Sequence, residues 1–255
     1  MKILKFLLPL SLVFCLGGCL DIDEKIDIKK DGSGQLVMDM DMSQMVELLQ
    51  NYVGKDELAK KGMSKMDTTI YMKDIVDTIS SLSPEKKALL HPGSVHIQLD
   101  MDQKIFKTHM QFPFTSLDNL QKLYATMSDG SLGTAQLFKG LAPGGQEDQP
   151  AAGSPDINQF NGIYDFTCKD GSMTKKLNQD KLDKLKADPQ MAQFKQAGQM
   201  GIEIMYTTTL QFPRPIKKAD NPLAKLSEDK KSVTMKYNLM DIFDHPEQFG
   251  YTIEY

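Results

Sequence analysis

Apolar residues recur at every second position in run after run of this chain, and that alternation restricts it to sheets with one face covered and one face wet. Successive strand side chains point to opposite faces, so a period of two marks a half-buried strand. Ile26 and Ile28 alternate with Asp27 and Lys29; after Asp31-Gly32-Ser33-Gly34 the pattern resumes as Leu36, Met38, Met40 and Met42 against Val37, Asp39 and Asp41. Both apolar sets are even-numbered, so facing pairs need an even sum, such as Ile28 with Leu36, and the loop must be odd in length and hold the glycine. Ser43 then offers a helix N-cap, and Met45, Leu48, Leu49, Tyr52 and Val53 follow at helical spacing. The unit reads strand, turn, strand, helix.

The same unit recurs. A connecting helical stretch carries Met72, Ile75, Val76, Ile79 and Leu82 on one face, and Ser83-Pro84-Glu85 starts another short helix. Val95, Ile97, Leu99 and Met101 then alternate with polar residues, and the return strand carries Phe106, Thr108, Met110 and Phe112. Odd now faces even, which needs an even loop; centring it between Asp102 and Gln103 puts His96 opposite His109. Pro113 closes the return strand, Thr115 and Asp118 suit a capping box, and Leu117, Leu120, Leu123, Tyr124 and Met127 form a helix face. Residues 129–160, rich in Gly and Pro, read as a flexible loop. Beyond it Tyr164, Phe166 and Cys168 face Met173 and Leu177 across Asp170-Gly171, a parity suited to a two-residue type I′ hairpin, and a helix from Asn178 breaks near Pro189. A fourth hairpin pairs Ile202 to Phe212 with Val233 to Leu239, a short helix follows at Met240 to Asp244, and Phe249, Tyr251, Ile253 and Tyr255 end the chain as a strand. The expected fold is α+β: antiparallel sheet from repeated strand-strand-helix units, with helices on one face. Two halves are expected, 24–128 and 161–255.

The start of the chain follows a different pattern. Lys2 and Lys5 precede an apolar run that ends in Leu16-Gly17-Gly18-Cys19, with Asp21, Asp23 and Glu24 just beyond. A membrane-crossing helix needs about 20 apolar residues, more than this run supplies, and the order of charged, apolar and small residues is that of a cleavable signal. Leu16-Gly17-Gly18-Cys19 resembles the lipobox of bacterial lipoproteins. The resemblance implies a signal peptide at 1–18, cleavage between Gly18 and Cys19, acyl chains on Cys19, and residues 19–23 as anchor and tether. Each buried methylene contributes about 0.8 kcal/mol, so two or three chains would hold the protein on a membrane. Leu20, where an aspartate would resemble an inner-membrane retention signal, favours outer-membrane sorting.

Charge and cysteine usage exclude several functions. Without residues 1–18, 28 basic residues face 34 acidic ones, a charge of about −6. Such a chain has no general attraction to nucleic acid, and Arg214, its one arginine, argues against bidentate phosphate recognition. With Cys15 removed and Cys19 acylated, Cys168 is the one free thiol, so no intramolecular disulfide forms. It falls on the inward set of its hairpin, which predicts an inert thiol.

No G-x-S-x-G, H-E-x-x-H, P-loop or mature C-x-x-C occurs, so no catalytic set or cofactor is expected. His96 and His109 would begin a zinc or copper site if a third ligand approached; the alternative is two solvated histidines. Met38, Met40, Met42 and Met45 suit soft-metal ligation or, on the face shared with Ile26 and Ile28, core packing. Gln211-Phe212-Pro213 ending one strand and Val233 to Tyr237 returning resemble mycobacterial LppM-type lipoproteins, and the whole chain resembles Bacteroidota lipoproteins; the former implies a lipid-binding envelope module. The expected function is a non-enzymatic, lipid-anchored envelope protein that binds another envelope protein or assists assembly. A carrier of lipid or another apolar ligand, and an envelope metal-binding protein, are the alternatives.

Overall fold

The computed structural model describes residues 20–54, 57, 64–129, 158–199 and 203–255. Gly18 and Cys19 of the lipobox, most of the Gly- and Pro-rich stretch, and Ile202 lie outside them. In chain order the strands are β1 (Leu20–Ile28), β2 (Gly34–Asp41), β3 (Lys65–Tyr71), β4 (Ser94–Asp100), β5 (Ile105–Phe114), β6 (Tyr164–Lys169), β7 (Ser172–Leu177), β8 (Ile204–Gln211), β9 (Lys218–Asp220), β10 (Lys225–Leu226), β11 (Ser232–Asn238) and β12 (Tyr251–Glu254). The α-helices are α1 (Ser43–Val53), α2 (Met72–Val76), α3 (Pro84–Leu90), α4 (Leu117–Ser128), α5 (Asn158–Gly162), α6 (Gln179–Ala187) and α7 (Pro189–Gln199), with 3₁₀ turns at Leu239–Phe243 and Pro246–Phe249.

The α+β class expected from the alternation is the one observed. An eight-stranded sheet runs β10-β11-β8-β1-β2-β5-β4-β3, and a four-stranded sheet runs β6-β7-β12-β9. All pairings are antiparallel except β1 with β8. That parallel pair joins the two expected halves into one sheet, so they do not build separate sheets; the remaining hairpin, β6-β7, is completed by the C-terminal β12. One face of the large sheet is buried: Ile22, Ile26, Leu36, Phe112, Leu210 and Val233 are each at most 1% exposed. Helices and the small sheet share a continuous apolar core with it. The stack of Phe212 on Tyr255, with centroids 4.2 Å apart, ties the C-terminus into that core.

Parity predicted register well where loops were short. β4 and β5 pair His96 with His109, as the loop length required. β1 and β2 pair with even sums, but Ile26 rather than Ile28 faces Leu36, because the turn spans 29–33 with Gly32 at φ +80°. The Asp170-Gly171 turn connects β6 and β7 as expected, yet only Gly171 has a positive φ (+81°), where type I′ needs two such residues.

Other local expectations fail for identifiable reasons. Residues 20–23 are no tether: β1 starts at Leu20, held between β2 and β8. The connecting stretch contains strand β3, an edge strand whose inward residues Met66, Thr68 and Ile70 are only half-buried, so its alternation is weak. Ser43 is the first helical residue rather than the cap, and its Oγ accepts from the Phe106 backbone N–H at 3.1 Å. Ser116, not Thr115, caps α4 by accepting from Asn119 N–H at 3.1 Å. Ser83 and Asn178 cap α3 and α6 through their side chains.

Candidate functional site

Two polar arrangements emerge from this fold, one exposed and one sealed. The exposed one is the uncovered face of the large sheet, which the odd-numbered residues of β1, β2 and β8 present to solvent. Strand pairing lines up His96, His109, Asp39, Asp23, Thr207 and Lys236 in one row across six strands. His109 Nδ1 lies 2.6 Å from Asp39 Oδ1, while His96 Nε2 lies 3.5 Å from Asp67 Oδ1 and its Nδ1 is hydrogen-bonded to Thr69 Oγ1 at 3.0 Å. The two imidazoles are adjacent, but each takes an acidic neighbour on its own far side. Among the described residues no three or more His, Cys, Asp or Glu groups gather into a metal-ligand set. Exposed pairs of this kind contribute about 0–1 kcal/mol, so His109→Ala should shift stability by under about 1 kcal/mol in urea denaturation.

The sealed arrangement lies between the sheets. Glu24, on the even set of β1, is 1% exposed, and Lys175, on the inward set of β7, is 2% exposed. Lys175 Nζ donates to Asn161 Oδ1 at 2.7 Å, and Asn161 Nδ2 donates to Tyr206 Oη at 3.0 Å. The Glu24 carboxyl group lies near enough to the Tyr206 hydroxyl to act on it electrostatically. From the other side Thr208 Oγ1 donates to Glu24 Oε2 at 3.2 Å and sits 3.3 Å from Tyr237 Oη. Hydrogen bonds thus lead from a buried ammonium to Tyr206, beside a buried carboxyl group that accepts from Thr208.

Aromatic rings enclose this chain. Lys175 Nζ lies 4.8 Å from the Tyr164 ring centroid and 5.9 Å from that of Tyr124, at distances where the ring quadrupole attracts a cation. Burial pulls the Lys175 ammonium down to about 8, with the Glu24 charge acting in the opposite sense. Burial first, and then Glu24, push the hydroxyls of Tyr124, Tyr206, Tyr237 and Tyr251 well above their ordinary value. Glu24 Oε1 and Tyr124 Oη have no hydrogen-bond partner, and both residues line a cavity of about 10 Å³. Room for about one water is all such a volume offers. Buried polar groups normally pair because an unmet one costs about 1–3 kcal/mol, so this cluster carries two open valences, and the cavity beside it has no room for an organic substrate.

A larger concavity, about 290 Å³, is open to solvent where α3 and α4 meet the end of β5; Ala88, Leu89, Pro92, Phe114 and Leu123 provide its apolar wall. Cys168 is 7% exposed and free, and burial pushes its thiol up to about 12. The native protein should therefore resist iodoacetamide at pH 8 and react within minutes in guanidinium, as read by intact mass. Met38 and Met40 are core residues at 4% and 5% exposure, and Met42 packs against them.

Neither Glu24 nor Lys175 stands out in the sequence, where Glu24 is one of three acids just beyond Cys19. The signal was present: Glu24 shares the parity of Ile22, Ile26 and Ile28, and Lys175 that of Met173 and Leu177. A charged residue on an inward set predicts a buried pair.

Comparison with known proteins gives little more. No protein-family model matches the chain, and no curated protein does. Among solved structures, the folded domain of Mycobacterium tuberculosis LppM, determined by NMR, aligns over 93% of this chain and 88% of its own, at 11% identity and a TM-score of 0.37. LppM is thus a structural neighbour at a similarity too low to carry over fold detail, ligand or activity.

Proposed function

We propose that this chain is a lipid-anchored envelope protein, held at a bilayer by acyl chains on Cys19, whose domain binds another envelope protein without catalysing a reaction. The observation that carries the reading is the uncovered face of the eight-stranded sheet, a broad polar surface. The motif Leu16-Gly17-Gly18-Cys19 supplies the anchor, and Leu20 after it favours the outer membrane. No helix among the described residues is long and apolar enough to cross a membrane.

Two experiments test this. A photo-crosslinking residue at Thr207 should yield a discrete adduct in intact cells that is absent when the same residue replaces exposed Lys30; equal labelling at both positions would refute a partner on the sheet face. Cys19→Ser should abolish acylation and move the processed domain from the membrane pellet to the soluble fraction, or leave the precursor uncut. Retention of a processed, unacylated chain in the pellet would refute the anchor.

The groove of about 290 Å³ favours a second reading, a carrier of an apolar ligand, since ligand pockets begin at about 300 Å³. Native mass spectrometry of the purified mature protein separates the two: a copurified lipid of defined mass supports the carrier, and its absence supports the protein-binding module.

A further inference from the structure

We infer that the domain stands end-on to the bilayer, with the pole formed by the start of β1 and the 101–104 loop against the headgroups and the 29–33 turn pointing away. This deepens the anchoring reading above and rests on it. Cys19 is joined directly to Leu20, and consecutive Cα atoms are about 3.8 Å apart. Leu20 is 5% exposed, opens β1 and is paired to Ile204 of β8. β1 lies inside the sheet, with hydrogen-bonded neighbours on both sides, so the direction in which the chain leaves it is fixed. An acylated Cys19 then has no tether, and the end of the sheet must sit where the acyl chains enter the membrane.

Strand pairing identifies that pole. Asp21 pairs with Asp41, and Asp41 with Lys107, so the end of β2, the start of β5 and the 101–104 loop share it. Its lysines are matched by acids: Lys107 with Asp41 at 3.0 Å, Lys104 with Glu47 at 3.1 Å and Lys65 with Asp100 at 3.3 Å.

The far pole is distant. β1 has nine residues, a span of about 30 Å at about 3.3 Å each. Gly34 pairs with both Ile28 and Phe114, which places the apolar groove at the far end. Whatever enters the groove comes from the aqueous side, not from the leaflet that holds the anchor.

The test uses the acylated mature chain in phosphatidylcholine–phosphatidylglycerol vesicles, with a fluorophore on a cysteine introduced in place of Gln103, Lys30 or Thr207, since buried Cys168 does not label. Headgroup spin-labelled lipid should quench the label at 103 several-fold more than those at 30 and 207. Flotation with equal quenching at 103 and 30, or with 207 quenched as strongly as 103, overturns the end-on orientation while the anchor stands. Failure to float with vesicles overturns the anchor, and the orientation with it.

Discussion

Glu24→Leu is expected to cost about 3–5 kcal/mol in urea or thermal unfolding, because it leaves the Lys175 ammonium buried with its opposing charge removed. The leucine fits the site well enough: β1 already carries Ile22 and Ile26 on that face, both fully buried. What it cannot replace is the acceptor for Thr208 and the charge that favours the Lys175 ammonium. Adding Lys175→Met should recover most of the loss, since replacing both members of a buried charge pair by apolar side chains is often neutral or stabilising. A double-mutant cycle with no coupling would show that the two groups do not act together.

The pH dependence follows from the same pair. Burial lowers Lys175 from its ordinary 10.5 to about 8, so between those values the unfolded chain binds more protons than the folded one, and stability rises with pH. Cys168 acts oppositely: its ordinary 9.0 is raised to about 12, so the unfolded chain sheds a proton first and stability falls as pH climbs above about 9. Between pH 8 and 9 the lysine dominates. Subtracting the Lys175→Met stability profile from that of the parent should leave a rise across this window; a flat difference would show that Lys175 is not held as described.

Gly34→Ala is the second large effect. A Cβ on Gly34 would lie 1.9 Å from the Asp27 carbonyl oxygen and 2.5 Å from the Phe114 ring. The ring can turn, but the carbonyl belongs to the β1 backbone and cannot move without opening the β1–β2 ladder next to Ile28. Overpacking costs about 1–3 kcal/mol when side chains absorb it and more when they cannot, so a loss of at least about 3 kcal/mol is expected. For a chain of this length that lowers Tm by about 6–12 °C. Gly54→Ala is the control: its φ of +85° strains an alanine, but nothing lies within 4 Å of the added carbon, so about 1 kcal/mol is expected. Equal losses at the two glycines would refute the close approach of β1 to β2.

Much of this architecture is local in origin. The alternation in Leu36–Met40 and Val95–Leu99, the loop parity that set His96 against His109, the Ser83 cap and the inward side of Cys168 all depend on residues a few positions apart, and each was readable. The end of α4 nearest β5 shows how narrow that reach is: Ser116 and Thr115 are chemically alike, and only the path of the chain after Phe114 decides which one meets the Asn119 N–H. β3 was missed because an edge strand buries its inner residues only partly, and its pattern fades accordingly.

By itself the sequence determined most of the strands and their faces, the α+β class and the lipobox-like motif at Cys19, since periodicity and short motifs are written in neighbouring residues. The tertiary structure alone decided that β1 lies parallel to β8, that the two halves share one sheet, and that Glu24 and Lys175 are buried within electrostatic reach of each other. The physical reason is that ladder hydrogen bonds are the same for any pair of strands. Which strands adjoin is chosen by the packing of the whole core, and a buried charge finds its partner only after that choice is made.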